Sequence, residues 1–535
     1  MLHKVSAMGY RWTHIPALLA LLVIGVPIVT TLLIGAFAGG GDIWAHISST
    51  FLWTYFVNTV SIMALMVIII CLVAIPAAWF VTMYQFPGRG LFSWLLILPL
   101  AAPGYVLAYT YADLTGVVGP LQSALRLATG WSARDYWFPN IRSLTGCAYV
   151  LSMALFPYVY LAARAAFQTQ SVAALEAAKS LGAGSAARFF YVALPGARPA
   201  IVAGLALALM EAGADYGAAD FLGVQTLTVG VFRAWTSFGD PAAGARLAII
   251  LVAMTSFLLW LERRQRGLRG YQTSARRWAV LNRSRLYGLK AIGATGFCSI
   301  IFLISFALPI GYLILRAIDT EVQASQIGSA VVNSLWLATL GALATFVIAL
   351  IIALAAREKN RIARLAIHVS TWGYAIPGAV LALGAVYSLV AAGYPLSGVA
   401  ALVLLTLVYI SRFSAVGIQP IQAALERAPE SYSHAARSLG ANSFRRMLKI
   451  DLPLIAPGAA VAALILFVEI LKELPATLML RPFNWDTLAV RAYNYASDER
   501  LAAAAIPSLA ITMAGLIPVL ALSWRMSQNV SGTKQ

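Results

Sequence analysis

The 535-residue chain carries 38 Lys and Arg against 20 Asp and Glu, a net charge of +18, yet only 11% of its residues are charged, 61% are hydrophobic and its mean hydropathy is +0.80. That much apolar surface exceeds what a soluble domain buries, so the chain reads as a membrane protein. Its basic residues sit in short stretches between apolar runs rather than on one soluble face, which argues against a nucleic-acid partner.

Hydropathy predicts an all-α polytopic protein with twelve transmembrane helices. In the first half they run over 15–38, 57–82, 91–111, 144–166, 199–222 and 245–262. In the second they run over 291–316, 331–356, 366–390, 399–418, 457–480 and 503–524. The first run follows Lys4 and Arg11 and is too long for the h-region of a signal peptide, so it is expected to be a retained helix. Pro103-Gly104 and Pro377-Gly378 mark expected breaks in spans three and nine.

Between the halves, 1–262 and 291–535, lies a linker over 263–290 with nine basic residues, from Arg263 to Lys290, and no apolar run. It is expected to lie on the anionic inner leaflet of the bilayer. Arg89, the group Arg357, Lys359, Arg361 and Arg364, Lys4 and Arg525 fall on the same side, which predicts that both termini are cytoplasmic.

The two halves repeat one another at a spacing of 258 residues. Ser180-Leu181-Gly182-Ala183 returns as Ser438-Leu439-Gly440-Ala441, Arg188 as Arg446, Leu194-Pro195 as Leu452-Pro453, Pro199 as Pro457 and Glu211 as Glu469. Both repeated segments lie on the expected cytoplasmic side, and each reads as a short Ala-rich helix, a turn and a second short helix, with the later proline opening the next span. Gly182 and Gly440 are the expected pivots, because a residue without a Cβ takes positive φ at little cost.

Glu176-Ala177-Ala178-Lys179-Ser180-Leu181-Gly182, continuing to Leu194-Pro195, resembles the EAA loop of ABC-importer permeases. The second copy, His434-Ala435-Ala436-Arg437-Ser438-Leu439-Gly440, has a histidine in place of the glutamate. A rival register would use Glu426 but breaks the glycine and Leu-Pro spacing. The resemblance implies a type I ABC-importer permease fold, with the loops over 170–198 and 420–456 docking an ATPase through Glu176, Ala177, Ala178, Gly182, His434, Ala435, Ala436 and Gly440.

No phosphate-binding GxxxxGK[ST] loop occurs, and the five histidines and three cysteines show no catalytic or metal-ligand spacing. The chain therefore reads as a transport subunit rather than an enzyme, with no cofactor of its own and no assigned metal ligands. Intramembrane charges are costly and are functional or paired. Glu211 and Asp215 in span five, and Glu469 and Glu473 in span eleven, each four residues apart, are expected on one helical face as candidates for a translocation path. Their oxygens suit a hard cation; the alternative is that they hold helices together.

The strings around them, Asp215-Tyr216-Gly217, Gly230-Val231-Phe232-Arg233-Ala234-Trp235, Lys472-Glu473-Leu474-Pro475-Ala476-Thr477 and Ala496-Ser497-Asp498-Glu499-Arg500, resemble double-length ferric-iron ABC permeases. That resemblance implies a bacterial inner-membrane permease, two copies of an ABC ATPase carrying ATP and Mg, a periplasmic ferric-iron-binding protein, and alternating access. A fused permease for thiamine or another small organic cation, and an ion-coupled secondary carrier, are the alternatives.

Overall fold

The computed structural model describes residues 2–37, 41–169, 177, 178, 180–267, 283–318, 324–358, 360–427, 432, 436, 438–440 and 443–531. Glu176, His434, Ala435 and the middle of the basic linker lie outside these residues. Among the described residues ten helices are long and apolar enough to cross a bilayer, and two bent pairs bring the number to twelve. The expected count of spans therefore holds.

The two bent pairs are the two spans with Pro-Gly. Arg89–Ala101 and Gly104–Thr129 meet at 94°, and Arg361–Ala375 and Gly378–Ala391 at 115°. Ala102 and Ile376 are extended, as a residue before proline prefers, and Pro103 and Pro377 then cap the helices that follow with ψ of 148° and 143°. The backbone turns here because two successive residues leave the helical region.

Spans five and eleven differ from expectation at both ends. The helix begins at Ser185, passes through a π-turn at Phe189–Ala193 and runs on as Leu194–Ala214, with Pro195 rather than Pro199 at its first turn. The same sequence of elements recurs as Ser443–Arg446, Met447–Asp451 and Leu452–Leu471. Among the described residues the second short helix of each repeat is continuous with the span that follows it. At the far end each span stops early, at Ala214 and Leu471, and a short helix follows a break, Gly217–Phe221 and Pro475–Leu480. Asp215 and Glu473 therefore sit beyond the helix, so the four-residue spacing does not place each acidic pair on one helical face.

By contacts the chain divides into two compact units that do not follow the sequence halves. Unit 1 comprises Met1–Leu52, Leu227–Val252 and Glu321–Asn494; unit 2 comprises Trp53–Thr226, Ala253–Thr320 and Tyr495–Gln535. The first and last spans of the second half thus pack with the middle spans of the first. The first span of the first half likewise packs with the middle spans of the second.

In unit 1 the core joins Ala20 and Ile24 to Ala349, Ile352, Ile410, Ile418, Ile421 and Ile455 from three further helices. Thr31 Oγ1 donates to Val380 O at 3.0 Å, holding Leu2–Phe37 against Gly378–Ala391. In unit 2 Leu144–Thr169 packs on Leu194–Ala214. Arg316 on Leu308–Ile318 reaches Asp113 on Gly104–Thr115 at 2.9 Å, and Tyr312 donates to the same carboxylate at 2.8 Å. Such polar ties carry weight in an apolar surrounding, where each unmade bond is costly.

Candidate functional site

The breaks in spans five and eleven pack on the Pro-Gly breaks of spans three and nine, within one unit in each case. In unit 2, Asp215 is the C-cap of Leu194–Ala214 in extended conformation. Its Oδ1 accepts from Ala218 N at 2.7 Å, capping Gly217–Phe221. Its Oδ2 lies so close to Gly104 that a Cβ there would sit 2.9 Å from it. The glycine of the break is what lets the carboxylate approach.

Unit 1 repeats the arrangement. Glu473 Oε1 accepts from Ala476 N at 2.9 Å, and Oε2 accepts from Thr477 N at 3.0 Å and Thr477 Oγ1 at 2.7 Å, so one carboxylate caps Pro475–Leu480. A Cβ on Gly378 would meet Oε1 and Arg412 Nη1 at 2.5 and 2.7 Å. Arg412 stands 3.8 Å from Glu473, and their side chains are 8% and 1% exposed, so the pair is buried and charge-compensated. Tyr409 OH and Thr477 Oγ1 share a hydrogen bond at 2.7 Å behind it.

The four carboxylates thus divide by role rather than by half. Asp215 and Glu473 hold breaks together. Glu469, one turn earlier in its span, pairs with Lys472 at 2.8 Å and remains part-exposed. Glu211, its repeat counterpart, is half-buried and has no hydrogen-bond or ion-pair partner among the described residues. No group of three or more His, Cys, Asp or Glu is arranged to hold a metal ion among the described residues.

The repeated turns have the geometry their glycines suggest. Gly182 and Gly440 lie at φ +81° and +80°. Leu181 N donates to Ala177 O at 3.0 Å and Ala183 N to Ala178 O at 2.9 Å, the six-residue closure of a helix C-terminus ending in a left-handed glycine. A Cβ on either glycine would meet nothing within 4 Å, so the backbone angle alone selects glycine. The preceding leucines, Leu181 and Leu439, are 88% and 87% exposed. Ala177 is exposed, Ala178 half-buried and Ala436 buried.

Two features escaped the sequence reading. Arg412 interrupts the apolar run of span ten, a charge whose position alone signals a buried partner. The Pro-Gly pairs are 274 residues apart and the acidic residues 258, so nothing in the spacing says that they meet.

The profile of the binding-protein-dependent transport system inner membrane component matches residues 31–269 and again 345–528. The chain belongs to this family. It is therefore a multi-pass inner-membrane transport permease with two family domains in one chain. The Fe(3+)-transport system permease protein FbpB 2 of Haemophilus influenzae is 27% identical over 457 residues, covering 83% of this chain and 84% of that protein. The molybdenum transport system permease protein ModB of Escherichia coli is 30% identical over 203 residues, 36% of this chain and 86% of its own. The sulfate transport system permease protein CysT of Escherichia coli is 30% identical over 182 residues, 33% of this chain and 63% of its own. Among solved structures, a bacterial ABC transporter importing the acidic polysaccharide alginate aligns with 51% of this permease and 99% of its own chain, at 17% identity and a TM-score of 0.36.

Proposed function

We propose that this permease is the membrane subunit of an ATP-driven importer of ferric iron. A periplasmic binding protein delivers the iron, two copies of a separate ABC ATPase hold ATP and Mg, and the cargo crosses by alternating access. The observation that carries the reading is length: the similarity to the Fe(3+)-transport permease runs through both family domains, whereas the molybdenum and sulfate permeases match about a third of the chain. The termini and the loops over 170–198 and 420–456 face the cytoplasm, and the loops dock the ATPases.

The carboxylates support a cationic cargo. Glu211 has no hydrogen-bond or ion-pair partner among the described residues, and its oxygens offer a hard ligand to a hard cation, with Glu469 as its counterpart in the other repeat. Asp215 and Glu473 shape the path by fixing the broken spans behind them. Import of an oxyanion such as molybdate or sulfate is the second reading, favoured by the similarity over a third of the chain. In-span carboxylates oppose it, because they repel an anion in a low dielectric.

The test is uptake into proteoliposomes holding the permease, its ATPase and its binding protein. Labelled ferric iron should accumulate with ATP, and Glu211→Gln should lower uptake per assembled complex by about tenfold, an effect near 1.4 kcal/mol. Molybdate or sulfate accumulation without iron uptake would reject the iron reading and leave the permease assignment standing.

A further inference from the structure

Three arginines converge in unit 2 at the end that carries the Gly182 turn. The Trp79 ring, three residues before Thr82, packs tilted against Phe189 at 5.1 Å and edge-on against Phe167 at 5.3 Å between centroids, so the helix Leu52–Met83 ends beside the π-turn that follows the Gly182 turn. Two of its last carbonyls take guanidinium donors: Arg89 Nε donates to Val81 O at 2.8 Å, and Arg283 Nε to Thr82 O at 3.2 Å. Arg283 is brought here from the far end of the basic linker by a short parallel pairing of Tyr84–Gln85 with Ser284–Arg285, continued by Leu286 N donating to Gln85 O at 3.0 Å. The third, Arg164 on Leu144–Thr169, is buried, and its Nη1 donates to Ser93 O at 2.6 Å, one turn after Arg89 on Arg89–Leu95.

Capping of helix C-termini accounts for one donor of each arginine. Arg164 also meets the Tyr160 hydroxyl, and the other donors of each five-donor fork have no acceptor among the described residues. No carboxylate among the described residues pairs with any of the three, and Arg164 Nε is buried with no partner. Burial, and after it the charge of Arg164, lowers Arg283 from the ordinary arginine value, so the like charges are within reach of one another. Elsewhere in the protein buried arginines meet acids, as Arg412 meets Glu473 and Arg446 meets Asp451. Here no such acid is found among the described residues, and an anion from outside the chain would supply the charge.

We propose that Arg89, Arg164 and Arg283 bind a phosphate-bearing anion, with the headgroup of an anionic phospholipid as the fitting source. Planar forks of this kind hold phosphate oxygens in pairs. The surroundings suit a lipid. Tyr287, the N-cap of the span Gly288–Ile318, and Leu289 and Ile292 on its opening turns are exposed just beyond Arg283, and Thr295 Oγ1 donates to Pro87 O at 3.1 Å, tying that span to the loop before Arg89. A headgroup on the arginines would leave its acyl chains along this apolar face. The proposal does not depend on the ferric reading.

The experiment uses the purified full-length permease in micelles, titrated with short-chain phosphatidylglycerol, phosphatidylcholine of the same chain length, or inorganic phosphate. Bound molecules are read by native mass spectrometry, and folding by the melting temperature. Phosphatidylglycerol should bind about tenfold tighter than phosphatidylcholine, and Arg89→Gln/Arg283→Gln should remove the preference while Arg285→Gln keeps it. Phosphate binding that the double variant loses, without a lipid preference, supports the same site with a soluble phosphate as its source. If the double Gln variant does not fold, Arg89→Lys/Arg283→Lys keeps both charges, loses the fork and should bind several-fold more weakly. Equal binding of every anion by wild type and variants overturns the proposal.

Discussion

The segment entering span five and its counterpart entering span eleven share one backbone, element for element at a spacing of 258 residues, but they are anchored by different chemistry. In the first, the π-turn residue Phe189 packs on Trp79, which packs on Phe167, and the buried Ala193 closes the turn. In the second, the residue matching Ala193 is Asp451. It takes Arg446 Nε at 3.2 Å and Arg357 Nη1 at 3.3 Å, while Arg446 also pairs with Glu358. Burial alone would lower the Arg446 value; Glu358 and Asp451 together more than reverse this and hold it above the ordinary arginine range. The difference teaches that the turn glycine and the Leu-Pro start define the segment, whereas an aromatic cluster and a closed cluster of two cations and two anions are interchangeable ways to fasten it.

They are not interchangeable in how they fail. A buried ion cluster is no more stabilising than apolar packing, yet removing one member strands the others. Asp451→Ala leaves Arg446 and Arg357 short of a partner and should cost about 3–5 kcal/mol, read as a fall in the denaturation midpoint of the purified permease. Adding Arg446→Met, which removes the stranded charge, should recover much of that loss, since coupled sites are not additive. If the double variant is as unstable as the sum of its singles, the cluster is not a unit.

Trp79→Ala breaks the aromatic anchor instead. Its cost should be about 3 kcal/mol, from lost contact and the cavity left behind. No partner rescues it, because nothing charged is stranded. A loss below about 1 kcal/mol would mean that Trp79 does not fasten the segment.

The next contrast is between the two capped breaks. Glu473 accepts three hydrogen bonds and faces Arg412, and Asp215 caps its break through Ala218 N. Glu473→Gln keeps the shape but strands Arg412, and it should cost about 2 kcal/mol; Asp215→Asn should cost about 1. The same melting series decides it, and a larger loss for Asp215→Asn would invert the comparison.

The sequence reading reached the spans, the Pro-Gly bends and the glycine turns, because each is written locally: twenty apolar residues, a ring that cannot donate, a missing Cβ. It misplaced the ends of spans five and eleven. There the helix stops at Ala214 and Leu471, and a carboxylate from the break accepts from the amides of the next helix, a tertiary detail that hydropathy averages over. The composition of the two compact units was equally unreadable, since packing of Leu2–Phe37 with the second half leaves no mark on the hydropathy of either. Arg412 and the three arginines of unit 2 were visible as letters, but their partners, or want of them, are tertiary facts.

The smallest effect, and the one that best separates shape from charge, concerns the two glycine turns. Gly182 and Gly440 share φ within a degree and have open space where a Cβ would go, so replacement acts through the backbone angle. Alanine should cost about 1 kcal/mol at either site, asparagine less, and valine more because a β-branched residue resists positive φ. If the loops dock the ATPases, Gly182→Val and Gly440→Val should each lower the amount of ATPase co-purified with folded permease. Asparagine variants should retain most of it. The two halves are equivalent if both losses match; a larger loss at Gly182 would point to the glutamate at 176, which the second copy replaces with His434. Unchanged co-purification and uptake in both valine variants would remove the turns from docking altogether.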